Sequence, residues 1–224
     1  MTGAPIRVLI ADDEAIVRDG LRTIIDLEDD LQVVGEAGDG RQAVSAARQL
    51  RPDIALVDIQ MPAMDGIEAT RQLLHATQPP RVLILTTFDR NEHVYEAMKA
   101  GASGFLLKDV RRGQLVDAIR TVVGGETLLA PTITRRLVEE FCARPSPAAA
   151  TPAALAELTP RELEILTHIA RGMSNQDIAS ALVIADTTVK THVARILTKL
   201  GLHDRAQAVV LAYETGLVRP GSST

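Results

Sequence analysis

One cysteine in 224 residues, Cys142, leaves no partner for an intramolecular disulfide and suits a reducing cytoplasm. The chain does not open on a charged-then-apolar pattern, so no secretory signal is expected. No apolar run approaches the roughly 18 residues that a membrane span needs, so no membrane partner is expected. No single sign of charge dominates, since the net charge is −5. At 46% hydrophobic and 24% charged residues, the composition is that of ordinary globular material. The expectation is a soluble, cytoplasmic protein. Its charge is unevenly spread. Residues 1–142 hold 16 Lys+Arg against 22 Asp+Glu, a balance of −6, whereas residues 143–224 hold 8 against 7, a balance of +1. That asymmetry points to two units with different partners.

What is present is an alternation. Ile6 to Ala11 reads as a buried strand followed by Asp12-Asp13-Glu14. A helix follows with Ile16, Val17, Leu21, Ile24 and Ile25 on one face. Leu31 to Val34 is a second strand, and Asp39-Gly40 leads into a helix carrying Ala43, Val44, Ala47 and Leu50. Ile54 to Val57 is apolar throughout and ends at Asp58; Asp65-Gly66 then opens a third helix. Strand four is Arg81 to Thr87, helix four Asn91 to Ala100, strand five Gly104 to Leu107, and helix five Arg112 to Val123. Five strand–helix repeats predict an α/β, doubly wound parallel sheet with helices on both faces, over residues 1–124. Residues 125–157 are read as one further helix, Pro131 to Phe141, and a Pro/Ala-rich linker.

Residues 158–224 are helical throughout. Thr159-Pro160-Arg161-Glu162 is a helix start: a Thr cap, Pro at the first turn and Glu three residues after the cap. Ser174 caps a second helix to Leu182, Asp186 a third to Leu200, and Asp204 begins a fourth. The second and third have helix-turn-helix proportions. In the fourth, Val209, Leu211 and Tyr213 form either a dimer surface or the closure of a small core.

Chemistry gathers at the strand ends. Asp12 and Asp13 follow strand one, Asp58 ends strand three, Thr86 lies at the end of strand four, and Lys108 follows strand five. In open parallel sheets ligands bind beyond the carboxyl ends of the strands, and strands one and three are neighbours in the flavodoxin-like order. Two carboxylates about 5 Å apart at an effective dielectric of about 20 repel by roughly 3 kcal/mol. Such a cluster takes a cation, and hard oxygen ligands in an open site favour Mg²⁺. With the metal bound, Asp58 can act as a nucleophile toward phosphorus, Lys108 as the point charge on the phosphoryl oxygens, and Thr86 as a hydroxyl donor to them. Taken singly, Asp12 and Asp13 could instead cap the first helix, and Lys108 could be a solvated loop lysine.

The pieces Ile10-Ala11-Asp12-Asp13-Glu14, Leu56-Val57-Asp58-Ile59-Gln60-Met61-Pro62, Leu85-Thr86-Thr87-Phe88 and Gly101 to Asp109 resemble a response-regulator receiver domain. Leu158-Thr159-Pro160-Arg161-Glu162, Asn175 to Ala179, Thr188 to Val193 and Lys199-Leu200-Gly201 resemble a LuxR-type helix-turn-helix. In this order they resemble the NarL/FixJ class of two-component regulators. The resemblance implies a (βα)5 receiver followed by an all-α, four-helix DNA-binding domain. It also implies that Asp58 is the phosphoacceptor, that Asp13 binds Mg²⁺ directly and Asp12 through water, and that Gln60 contributes its backbone carbonyl. Thr86 becomes the switch hydroxyl. Phe105 stands where the family has a switch aromatic, and a core Phe on strand five is the alternative. A sensor histidine kinase, double-stranded DNA and a second copy of the chain become the partners.

On the third helix of the second unit, Val189, Val193, Ile196 and Leu200 form a core stripe at about 100° per residue. Thr187, Thr188, Lys190, Thr191, Ala194, Arg195, Thr198 and Lys199 are assigned to the DNA face; no acid lies between Thr187 and Leu200. His192 flanks the core stripe and is a poor base reader. The expected function is a phosphorylation-dependent transcription regulator, not an enzyme. Two rivals are a constitutive DNA-binding protein with a structural receiver, and an aspartate-nucleophile phosphatase. Such phosphatases resemble one another in carrying a second acid two residues after the nucleophile, where this chain has Gln60.

Overall fold

Strand and helix patterns alternate five times, and the computed structural model turns that alternation into a five-stranded sheet of order β2-β1-β3-β4-β5, parallel throughout. The structure describes residues 4–87, 91–124, 153–202 and 205–218. They fall into two compact units, divided between residues 128 and 129. The helix expected over Pro131–Phe141, the linker over 143–152 and the start of the last helix at Asp204 lie outside the described residues.

The strands are β1 (Ile6–Ala11), β2 (Leu31–Ala37), β3 (Ile54–Asp58), β4 (Arg81–Thr86) and β5 (Gly104–Leu107). Between and after them run α1 (Ala15–Ile25), α2 (Gly40–Leu50), α3 (Gly66–Leu74), α4 (Asn91–Ala100) and α5 (Arg112–Val123). Val8, Ile10, Ile54, Leu56, Leu83 and Leu85 pack in one apolar cluster with Ile25 of α1 and Leu115, Ile119 and Val122 of α5. The alternate residues Leu9, Ala55, Val57, Val82 and Ile84 are equally buried on the other face. That double burial is what continuous apolar strands require. β1 lies between β2 and β3, so the strand order reverses there, and the carboxyl ends of β1 and β3 form the crevice at the reversal.

Three local expectations are corrected. β2 runs to Ala37, three residues past Val34, because it pairs with β1 as far as Ala11↔Ala37 across a register shift between Val8 and Leu9. β4 ends at Thr86, and Thr87 is exposed. Ile16 is 79% exposed. It stands nine residues from buried Ile25, about 180° around the helix, so it cannot share that face.

In the second unit, a 3-10 turn (Ala153–Glu157) precedes α6 (Pro160–Ala170), α7 (Asn175–Leu182), α8 (Asp186–Leu200) and α9 (Arg205–Glu214). Thr159 and Glu162 form the expected capping box, and Ser174 with Asp177 forms another. Leu155 of the 3-10 turn joins Ile165, Leu166, Ile178, Val189 and Ile196 in the core, so residues read as linker contribute to it. Val209 and Tyr213 are core residues too, which favours closure of the core over a dimer surface for those two. The cap of α8 is Ala185, with no side-chain hydrogen bond; Asp186 is the first helical residue. Among the described residues no helix is long and apolar enough to cross a membrane.

Candidate functional site

The strands that border the crevice deliver polar residues to it, β1 two and β3 one. β1 and β3 are neighbours, so Asp12, Asp13 and Asp58 each offer a carboxylate oxygen within 4.8 Å of the others. Lys108, just after β5, reaches across: its Nζ lies 2.6 Å from Asp12 Oδ2 and 2.9 Å from Asp58 Oδ2. Asp12 and Asp58 are buried, and Asp13 is exposed. Thr86 is fully buried at the end of β4, and its carbonyl accepts the Lys108 N–H at 2.9 Å. That fixes the start of the lysine's side chain beside the acids. Of the two consecutive threonines, only Thr86 points inward.

The electrostatics follow from burial. Desolvation raises the Asp58 carboxyl above its ordinary range, Lys108 opposes the rise, and the Asp12 charge adds to it. Desolvation acts to lower the Lys108 ammonium, but hydrogen bonds to Asp12 and Asp58 outweigh it and the net shift is upward. One ammonium cannot neutralise three carboxylates. The donor set therefore suits a hard divalent cation: charged oxygens, one exposed side, no sulfur or imidazole.

Several supporting residues were not singled out from sequence. Arg18 of α1 donates to the carbonyls of Asp12 at 2.6 Å and Asp13 at 3.3 Å, and its guanidinium is braced by Glu36 at 3.4 Å. The N–H of Glu14 donates to Asp12 Oδ1 at 3.0 Å, so Asp12 orders its own loop rather than capping α1. Gly66 opens α3 against the backbone of Asp58, where a Cβ would lie 1.9 Å from the carbonyl oxygen. The dipeptide Asp65-Gly66 carried that signal: Asp65 is the cap, accepting the Glu68 N–H, and Gly66 gives the clearance. Gln60 is exposed in the loop after Asp58. Phe105 is fully buried in β5.

On α8, Val189 and Ile196 are buried, and Val193 and Leu200 pack against the same core, as the helical wheel predicts. Thr187, Thr188, Lys190, Thr191, Ala194, Arg195, Thr198 and Lys199 are all exposed. Two of the three cations are engaged. Lys190 pairs with Asp186 at 3.0 Å, an exposed i,i+4 pair that contributes little and yields to competition. Lys199 donates to Glu162 Oε2 at 2.6 Å and to the Glu157 carbonyl at 3.2 Å. Glu162 is almost fully buried, and that pairing, with the Thr159 N–H, pushes its carboxyl down to about 2. Lys199, assigned from the sequence to the DNA face, thus has its ammonium engaged in tying α8 to α6. Asp186 and Glu162 lie outside the acid-free stretch 187–200, which is why the sequence hid both partners. Among the described residues Arg195 has no ion-pair partner. His192 is half-buried, with Nδ1 enclosed and without a hydrogen bond among the described residues.

Comparison with known proteins covers both units. Residues 8–120 match the response regulator receiver domain, and residues 156–212 match the bacterial regulatory proteins of the luxR family. The chain is 44% identical over 216 residues to YxjL of Bacillus subtilis, described as an uncharacterised transcriptional regulatory protein, spanning 96% of this chain and 98% of that one. It is 41% identical over 213 residues to the transcriptional regulatory protein LiaR of the same organism, spanning 95% and 99%. Among solved structures, the response regulator ChrA of a heme-sensing two-component system matches at 39% identity and a TM-score of 0.53, over 96% of this chain and 100% of that one. The response regulator RcsB in complex with DNA shares the fold, at 23% identity and a TM-score of 0.56, over 93% and 98%.

Proposed function

The chain belongs to the two-component response regulators that carry a luxR-type DNA-binding domain, and from that membership we propose that Asp58 is the residue through which its DNA binding is switched. It is a DNA-binding transcription regulator. A phosphohistidine on a sensor histidine kinase is the donor, in the cytoplasm. A carboxylate oxygen of Asp58 attacks phosphorus, the P–N bond breaks as the P–O bond forms, and the imidazole leaves with a proton. Asp12, Asp13, Asp58 and the carbonyl of Gln60 would hold Mg²⁺, which offsets the charge of the carboxylates and of the incoming phosphoryl oxygens. Lys108 supplies a positive charge to those oxygens and the Thr86 hydroxyl a hydrogen bond. Phe105 is fully buried, so any switching role requires β5 and its neighbours to repack. The observation that carries this reading is the bridge of Lys108 between Asp12 and Asp58 at the point where the strand order reverses.

The output is the exposed face of α8. Thr187, Thr188, Lys190, Thr191, Ala194, Arg195 and Thr198 face the major groove, with Arg195 the strongest candidate for a phosphate or guanine contact. Phosphorylation favours a homodimer whose two α8 helices address half-sites about 10 bp apart or a multiple of that.

The test is mass spectrometry after treatment with acetyl phosphate and Mg²⁺. The wild-type chain should gain one phosphoryl group, and Asp58→Asn, nearly isosteric but unable to form the acyl phosphate, should gain none. Chelation of divalent cations should stop the labelling. Equal adducts on both proteins, or labelling unaffected by chelator, would contradict the assignment.

A further inference from the structure

We propose that the trough between α2 and α3 binds a small anion bearing two or more phosphate groups, of the size of a nucleoside triphosphate. Near the C-terminal ends of the two helices lies a cavity of about 580 Å³, lined by Arg48, Arg51, Gln72, His75, Thr77 and Gln78 among others. Beside it is a recess of about 310 Å³, lined by Arg41, Arg48, Gln72 and Met64 among others. The two share Arg48 and Gln72, so they form one continuous trough. No aspartate or glutamate lines either part.

That charge pattern is an exception in its unit. Residues 1–142 carry more acids than bases, 22 against 16. Other arginines of the unit find carboxylates: Arg22 pairs with Glu36, Arg71 with Glu68, and Arg112 and Arg120 with Glu28. Helix α2 contains Arg41 and Arg48 and no acid. Among the described residues, the guanidiniums of Arg41, Arg48 and Arg51 make no ion pair and no hydrogen bond. Three unpaired guanidiniums in one concavity of an acidic unit are a recognition surface for negative charge.

The spacing selects the kind of anion. From Arg41 to Arg51 is ten residues, about 15 Å along the helix axis. A guanidinium fork fits one phosphate bidentately, so a single inorganic phosphate satisfies one arginine and leaves two. An elongated anion with several phosphates engages all three, and Gln72, Thr77 and Gln78 add neutral donors and acceptors for its remaining oxygens. The negative ends of α2 and α3 oppose binding with about half a charge each, against three full charges. The cavity lies within the roughly 300–1,000 Å³ range of small-ligand sites.

The trough also reaches the loop that follows the candidate phosphorylation site. Met64 lines the recess, belongs to the loop that follows Asp58, and accepts the N–H of Gly40 at the start of α2. Ala63 beside it is held at φ 62, a left-handed conformation that is costly for a residue with a Cβ. An occupant of the trough presses on this loop. Resting on the reading of Asp58 as phosphoacceptor, occupancy changes the rate of Asp58 labelling.

Calorimetric titration tests the binding itself without that reading. Metal-free ATP is the probe, in chelator, so that the acidic crevice contributes nothing. The full chain carries Lys190→Ala and Arg195→Ala, so that α8 contributes nothing. ATP should bind, and adding Arg48→Ala with Arg51→Ala should weaken it by about tenfold or more; Arg48→Lys, which keeps the charge and loses the fork, should fall between. These side chains are exposed, and circular dichroism checks that the fold is retained. No binding at millimolar ATP, or equal binding after the arginine substitutions, overturns the proposal. Equal competition by sulfate means an adventitious ion only. Tighter binding of a decaglutamate peptide would mean that the trough takes acidic protein and would overturn the assignment to phosphates.

Discussion

Gly66 shows how one residue positions the candidate site without taking part in its chemistry. Its missing side chain lets α3 start against the carbonyl of Asp58, where a Cβ would sit 1.9 Å away. Gly66→Ala should lower the stability of the receiver unit by about 1–3 kcal/mol and slow phosphorylation of Asp58, because the backbone carrying the carboxylate must shift. Chemical denaturation and labelling kinetics of the variant check both. Glu162 is the corresponding residue of the second unit. The Lys199 pairing lowers its folded-state value to about 2, against 4.5 for the free side chain. A depressed carboxyl adds stability that is complete above about pH 4.5 and is lost as pH falls toward about 2. Glu162→Gln should therefore flatten the acid loss of stability of the second unit between those limits, followed by calorimetry. Lys199→Ala, which strands a buried carboxylate, should cost about 1–3 kcal/mol near neutral pH. The carboxylates and Lys108 were legible in the sequence because they end apolar strands. Arg18 and the Lys199–Glu162 pair were not, since their partners stand 5–6 and 37 positions away with no local pattern to mark them.

Among the elements, type was read more faithfully than extent. The central strands β1, β3 and β4 are apolar runs buried on both faces over most of their length, which the period-free pattern announces. The end of β2 was not announced, because a strand's length is set by the neighbour it pairs with. Ile16 misled through composition: an apolar residue two positions into a helix can face solvent. The turn between α7 and α8 holds another feature that sequence reading passes over. Val183 is a β-branched residue at φ 52, left-handed and 89% exposed. The conformation costs roughly 1–2 kcal/mol relative to glycine, which itself loses about 0.5–1 kcal/mol of chain entropy elsewhere. Val183→Gly should thus raise the unfolding midpoint of the second unit, by roughly 0.5–1 kcal/mol of stability, because no packing is lost. A lower midpoint would mean that the exposed valine is held by contacts within the turn.

For the whole molecule, the division of labour follows from where charge is placed. The first unit concentrates carboxylates in a crevice that a cation and a phosphoryl group can enter. The second exposes an acid-free helix face that a phosphate backbone can meet, so DNA affinity should fall steeply with salt. The measurement that tests the link between them most directly is a set of DNA-binding curves at fixed ionic strength, on a sequence chosen by in-vitro selection. Wild type and Asp58→Asn are each compared with and without acetyl phosphate and Mg²⁺. The account predicts that the donor tightens wild-type binding by about tenfold, the usual order of a coupling between two sites, and leaves Asp58→Asn unmoved. Wild-type protein that is fully phosphorylated yet binds DNA no more tightly would contradict it, as would an equal gain in the Asp58→Asn variant.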